Sequence, residues 1–170
     1  AYSEPPTIRV SQATANPGGE VDLTVNLENN PGVTGIKLGV DYDNTKLEWK
    51  GVKSDFAGSW NPALNAWQAG QPVSWFAANP NINVNEDVTF ITLTFKVKDG
   101  AEATKENEPA RVTVTYDNEE PDIYNADEQP VYFEVISGGV NINKVSVPHK
   151  ITVNKTGEGT AEASKASAME

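Results

Sequence analysis

The chain has 170 residues, of which 38% are apolar, and its formal net charge is −11. This length suits one domain with a core large enough to fold alone. The acidic balance argues against a nucleic-acid partner, because phosphate binding needs clustered Lys and Arg. The sequence has no apolar run of about 18 residues, the length that can span a bilayer, so we expect no membrane insertion of this fragment.

Cysteine and histidine usage excludes several kinds of chemistry. The chain has no cysteine, which rules out a disulfide framework, a Cys-ligated zinc site and a thiol nucleophile. Its one histidine, His149, rules out His-pair metal sites and argues against a Ser/His/Asp triad. An incidental exposed residue is the simpler interpretation of His149.

Short segments of alternating apolar and polar residues follow one another along the chain, separated by turns rich in Pro, Gly, Asn and Asp. No segment keeps a 3.6-residue apolar period over three turns, so we expect no substantial helix. The pattern predicts an all-β protein with antiparallel sheets stacked as a sandwich. The predicted strands are 7–11, 20–29, 34–42, 46–52, 64–69, 72–78, 88–100, 110–117 and 131–142.

The predicted strand 34–42 has one unusually bare face. Ile36, Leu38 and Val40 alternate as the inward residues of a half-buried strand should. The opposite face consists of Gly35, Lys37, Gly39 and Asp41. Glycine inside a strand often marks the close approach of another backbone or a ligand. A β-bulge or a crossing loop that covers the two glycines is the alternative explanation.

The end of the sequence differs in character from the rest. Residues 144–170 contain one strand-like piece, "HKITVNK", followed by a Gly/Ala/Ser/Glu segment that is too polar to bury a core. We predict a linker and the truncated start of a following β-rich bacterial repeat. Residues 1–143 then form the folded module.

Four ordered motifs resemble those of the cohesin family. They are "GGEVDLTVNLEN", "PGVTGIKLGVDYDNTKLEWKGV", "VTFITLTFKVKDG" and "VYFEVISGGVNI", and the resemblance runs from about residue 6 to 143. It implies a nine-stranded antiparallel β-sandwich with jelly-roll topology. It also implies a non-catalytic adaptor of the extracellular space or bacterial cell surface, monomeric when free.

The partner implied by this resemblance is a dockerin module, carried by an enzyme or by another scaffoldin of a cellulosome. Cohesins bind dockerins on the flat face of one sheet, which here corresponds to strands 34–42, 64–69, 72–78 and 110–117. Calcium belongs to the dockerin, so this chain itself needs no cofactor. The bare strand face would let a dockerin helix lie close to the sheet.

Several further residues are candidates for dockerin binding. Trp75 aligns with an exposed apolar contact of cohesins, but it is a core residue if the strand register shifts by one. Trp67 fits the core or the binding face equally well. Ala78 and Asn79 end the predicted strand where the family often has an acidic side chain.

The strand 110–117 and the loop after it add polar candidates. Arg111 and Thr113 belong to the outward set of the strand, for which a solvated face is the alternative. Acidic residues are concentrated in the loop 116–130: Asp117, Glu119, Glu120, Asp122, Asp127 and Glu128. They could steer a basic dockerin helix, with Glu128 as a contact. Their spacing fits no EF-hand loop, and a solvated acidic loop is the simpler interpretation.

One departure from the family pattern bears on the choice of partner. In the best-known cohesin type this strand carries an Asn and an Asp that hydrogen-bond a Ser/Thr pair of the dockerin, whereas here the positions are Gly35 and Lys37. A reversed charge at the centre of an interface normally excludes the old partner. We therefore predict a divergent dockerin, with the ruminococcal kind as a candidate, and an acidic or neutral residue opposite Lys37.

Three other functions compete with dockerin binding. The four tryptophans suit a carbohydrate-binding module, since β-sandwiches often stack sugars on exposed rings. A glycoside hydrolase would need paired carboxylates at a set separation in a cleft, which the sequence does not outline. A structural adhesin domain is the third alternative.

Overall fold

The computed structural model describes residues 4–117 and 121–145. These residues form twelve β-strands and one 3₁₀ turn, Leu64–Ala66. The strands are β1 (Thr7–Val10), β2 (Gln12–Ala15), β3 (Glu20–Glu28), β4 (Gly35–Tyr42), β5 (Leu47–Lys53), β6 (Ser59–Asn61), β7 (Val73–Phe76), β8 (Val88–Val97), β9 (Ala110–Thr115), β10 (Ile123–Tyr124), β11 (Glu134–Ile136) and β12 (Gly138–Ile142). Among the described residues, no helix is long and apolar enough to cross a membrane.

Two sheets pack face to face around one core. The five-stranded sheet has the order β11-β1-β3-β8-β5, and the seven-stranded sheet has the order β2-β12-β9-β4-β7-β6, with β10 paired to β4. Alternate residues of the long strands point inward, and Leu23, Val25, Phe95 and Val114 are among those buried between the sheets. The predicted all-β sandwich is confirmed.

The terminal segments change sheets, which the alternation did not predict. The chain leaves the five-stranded sheet after β1 and enters the seven-stranded sheet as β2, and β11 and β12 are divided in the same way. The β1–β11 and β2–β12 pairs are parallel, so both sheets are mixed rather than purely antiparallel. These two pairs join the N-terminal strands to the C-terminal strands of the domain, one pair in each sheet.

The strand count also differs from the predicted nine. Residues 64–69, predicted as a strand, contain the 3₁₀ turn, and the nearby β6 takes the place of that strand. Two of the additional strands are β2 and β10. The third arises because the predicted strand 131–142 is divided into β11 and β12. The other predicted strands are confirmed with shifted ends. Nearly all of the predicted linker and following repeat, residues 144–170, lies outside the described residues.

Candidate functional site

The outer face of β4 has the orientation that the sequence predicted. Ile36, Leu38 and Val40 are buried, whereas Lys37 and Asp41 are exposed. The seven-stranded sheet places β7 on one side of β4 and β9 and β10 on the other. The outward residues of β4 therefore lie near the middle of a broad sheet surface.

Gly35 is covered by the chain itself. It is paired with Tyr124 of β10, and a Cβ atom at Gly35 would lie 2.2 Å from Cζ of the Tyr124 ring. The backbone fixes this arrangement, because Thr34 N–H donates to the Tyr124 carbonyl at 2.9 Å and Lys37 N–H to that of Asp122 at 2.7 Å. The hypothesis that a partner approaches the bare backbone at Gly35 is wrong, because a tyrosine ring occupies that space.

Gly39 keeps the low profile that the sequence suggested. It is partly exposed, and a Cβ atom added there would meet only the hydroxyl of Thr115, at 3.3 Å. It lies between Lys37 and Asp41 on the same face of β4. The close approach of a partner thus remains possible at Gly39 and not at Gly35.

The prediction that Trp75 points outward is wrong. Trp75 is paired with Ile36, points to the core with an exposed fraction of 0%, and donates from Nε1 to the Ala57 carbonyl at 3.0 Å. Its neighbour Phe76 is paired with Gly35 and is 42% exposed. The residue that sequence reasoning missed is therefore Phe76, and the signal was the adjacent pair of aromatic residues, of which only one can face the core.

Trp67 is also a core residue, so it cannot contact a partner on this face. It is 1% exposed, packs edge-on against Trp49 with ring centroids 5.4 Å apart, and donates from Nε1 to the Gln71 carbonyl at 2.7 Å. The 3₁₀ turn that precedes it folds the chain inward and delivers the indole to the core.

The other candidates fall into two groups. Thr113 is 4% exposed, since Ser137 lies over it and donates to its hydroxyl at 2.9 Å, and it is therefore not an available contact. Arg111 is exposed on the outer face of β9, as predicted. Ala78, Asn79 and Glu128 are exposed in loops at the Phe76 and Tyr124 end of this face.

A continuous depression follows β4 along the outer face of the sheet, and we call it the trough. Its larger part, about 520 Å³, has residues 37–41 of β4 as its floor, with 70–72 on one side and 115–117 and Asp122 on the other. Its smaller part, about 190 Å³, is lined by Phe76, Tyr124, Pro121, Ile36 and Ser74 and shares Lys37 and Asp122 with the larger part. The trough thus joins an aromatic end to a charged end.

The charged part of the trough is dominated by carboxylates. Lys37 is its one cation among the described residues, against Asp41, Asp117 and Asp122. Neither Lys37 nor Asp41 forms a side-chain hydrogen bond or an ion pair with any residue in 4–117 or 121–145. No cluster of His, Asp and Glu in these ranges could hold a metal ion.

The tryptophans are placed unfavourably for sugar stacking. Trp67 and Trp75 are buried, and Trp49 and Trp60 are partly buried against the core. Trp60 packs on Phe90, with ring centroids 5.1 Å apart. The four tryptophans favoured a carbohydrate-binding module, but none of the four offers an exposed ring for a sugar.

Solved structures with this fold come from bacteria and an archaeon. The chain is 20% identical to the sixth cohesin of scaffoldin B from Acetivibrio cellulolyticus, solved in complex with a dockerin (TM-score 0.61; 82% of this chain and 100% of that chain). A type I cohesin–dockerin complex from Clostridium thermocellum gives 20% identity and a TM-score of 0.62, covering 85% and 97%. A non-cellulosomal cohesin from Archaeoglobus fulgidus gives 20% and 0.58, covering 82% and 92%.

The sequence comparison is more specific than the likeness of folds. These structural similarities confirm the predicted jelly-roll β-sandwich. A comparison with curated protein sequences gives no match. The sequence profile of the cohesin domain matches residues 6–131, which is most of the described part of the molecule. The chain therefore belongs to the cohesin family.

Proposed function

We propose that this chain is a non-catalytic adaptor that binds a dockerin module in the trough along β4. The dockerin is calcium-loaded and belongs to an enzyme or to another scaffoldin. The bound state contributes to a cellulosome, a polysaccharide-degrading complex outside the cell or on its surface. The calcium belongs to the dockerin, and the cohesin contributes side chains alone.

The observation that carries this proposal is the trough itself. It combines an exposed aromatic ring, Phe76, with two charged side chains, Lys37 and Asp41, that have no partner within the described residues. Aromatic residues in the centre of an interface are the commonest hot spots, and unpaired charges around them provide specificity. Two of the structurally similar cohesins were solved in complex with dockerins.

Calorimetric titration tests the proposal. The full chain is titrated with a panel of calcium-loaded dockerins that includes modules from Acetivibrio cellulolyticus, Clostridium thermocellum and ruminococci, and then with the same dockerins in excess chelator. We expect tight binding to at least one dockerin, and loss of binding on chelation, because the dockerin unfolds without its ion. A folded chain that binds no dockerin of the panel would contradict the proposal.

A further inference from the structure

The two ends of the trough differ chemically, and the difference follows the axis of β4. At the Gly35 end, Phe76 and Tyr124 flank the strand from opposite sides, with exposed Pro121 beside them. At the Asp41 end the floor and wall carry Asp41 and Asp117. A partner that fits the whole trough must therefore change from apolar to basic along its length.

Lys37 lies between these two ends and places a third requirement on the chemistry of the partner. Its side chain is exposed, and no ion pair involves it in the described chain. A partner side chain that lies over Lys37 is stabilised when it is acidic, and a basic one is repelled. Arg111 lies next to Asp41 and Asp43 in a neighbouring depression, but it forms no ion pair with either of them within the described residues, so the Asp41 carboxylate is available to a partner.

The geometry of β4 gives the distances between these positions, and those distances predict the spacing of the contacting residues on a partner helix. Residues of a strand advance about 3.3 Å each, so Gly35 and Lys37 are about 7 Å apart and Lys37 and Asp41 about 13 Å apart. A helix advances about 1.5 Å per residue, and residues on one face recur every three or four positions. A helix that runs along β4 then meets the aromatic end, Lys37 and Asp41 at positions i, about i+4 and about i+11 to i+14.

We infer that the trough selects a dockerin helix that runs along β4, with an apolar residue against Phe76 and Tyr124, an acidic residue one turn away at Lys37, and a basic residue two to three turns further at Asp41. The inference rests on the proposed dockerin binding and specifies its partner. The order can be read in either direction along the partner helix. Gly39, between the two charged residues, lets the middle of that helix lie close to the sheet.

Reciprocal selection tests the inference. The dockerin that binds most tightly in the calorimetric panel is displayed on yeast, with the exposed positions of its helices randomised, and selected in calcium against the full chain. The baits are the wild type, Lys37→Glu, Asp41→Lys and Phe76→Ser. The matched controls outside the trough are Lys98→Glu, Glu102→Lys and Ile136→Ser, whose side chains are all exposed.

The expected result is a separate change of preference for each trough variant. Lys37→Glu should enrich a basic residue where the wild type selects an acidic one, and Asp41→Lys should enrich an acidic residue at the distant position, each by about tenfold or more. Phe76→Ser should remove the apolar preference alone. The control baits should select the same sequences as the wild type.

Two contrary outcomes have different meanings. If dockerins bind but the trough variants select the same residues as the wild type, or the selected positions lack the spacing of one helix along β4, the inference is wrong and dockerin binding stands. If no dockerin of the panel binds the wild-type chain, the proposed function fails and the inference fails with it.

Discussion

The outer faces of the two sheets differ in how their polar side chains are hydrogen-bonded. On the five-stranded sheet, Thr94 donates to the Asp22 carboxylate at 2.7 Å across β3 and β8, and Thr89 donates to the Asn26 side chain at 2.8 Å. On the seven-stranded sheet, Lys37 and Asp41 have no such partner among the described residues. The polar groups named on the first face are bonded to each other, whereas these two charged groups on the second face are available to a partner.

The same contrast extends to charge and to apolar exposure. On the outer face of the five-stranded sheet, Arg9 Nε of β1 donates to Glu28 of β3 at 2.9 Å, and this hydrogen bond and the carboxylate charge raise the pKa of the Arg9 guanidinium. The trough instead combines the exposed ring of Phe76 with the charge of Lys37. Where polar groups are already bonded to each other, a partner contributes little binding free energy, because the existing hydrogen bonds must be exchanged for new ones.

Replacing Trp75 by Ala should cause the largest change of any single substitution considered. The side chain is fully buried, so its loss leaves a cavity and removes the bond to Ala57. We expect the free energy of unfolding to fall by about 3–5 kcal/mol, as measured by urea denaturation. A loss below about 1 kcal/mol would contradict the inward orientation on which the description of the trough depends.

Phe76→Ala tests the neighbouring residue, which faces outward. Dockerin affinity should fall by about 2 kcal/mol or more, because the ring is the exposed aromatic anchor of the trough, whereas the unfolding free energy should change little. Calorimetry and urea denaturation measure the two effects. The matched control is Ile136→Ala at the edge of the five-stranded sheet, which should leave the affinity unchanged. Equal losses of affinity in both variants would remove the distinction between the faces.

Gly35→Ala tests the close contact with Tyr124. The added Cβ would overlap the tyrosine ring, so we expect a loss of about 1–3 kcal/mol in unfolding free energy. Combining it with Tyr124→Ala should cost less than the sum of the two single changes, because the second substitution removes the atoms that clash. Additive losses in urea denaturation would show that Tyr124 does not fill this space.

Lys37→Glu should weaken binding of the cognate dockerin about tenfold, or about 1.4 kcal/mol, because it places a carboxylate opposite an acidic or neutral partner residue. The loss should shrink as salt is added, since exposed charges are screened. Lys98→Glu changes the net charge by the same amount outside the trough and should leave the dissociation constant unchanged. Equal effects of the two variants would indicate a general charge effect rather than a contact.

Thr94→Val should have the smallest effect and act only on the opposite sheet. It removes the hydroxyl bonded to Asp22, so stability should fall by about 0.5 kcal/mol, the scale of one cross-strand pair. Dockerin affinity should remain that of the wild type. A clear loss of affinity in calorimetry would mean that the five-stranded sheet also contributes to binding.

The alternation of apolar and polar residues predicted much of this molecule. It identified the inward residues of β3, β4 and β8, because a strand buried on one face repeats every two residues whatever its partner. It also predicted that Lys37 and Asp41 lie on the exposed face of β4. The cohesin motifs predicted the family, which the sequence profile confirms.

The error at Trp75 concerns pairing between distant segments. Trp75 and Phe76 are adjacent aromatic residues, and local alternation fits either one inward. The register with β4 places Trp75 beside Ile36 and Phe76 beside Gly35. Trp67 differs for a local reason, since a short 3₁₀ turn, Leu64–Ala66, precedes it where the sequence predicted a strand.

Alternation, turn residues and charge are local properties of the chain, and they were enough to predict an acidic β-sandwich with a strand whose outer face carries glycines and charges. Three features of the site depend instead on long-range packing: Tyr124 fills the space over Gly35, Ser137 covers Thr113, and Phe76 is the exposed ring. Those contacts join residues far apart in sequence, and the register that creates them is set by the pairing of whole strands.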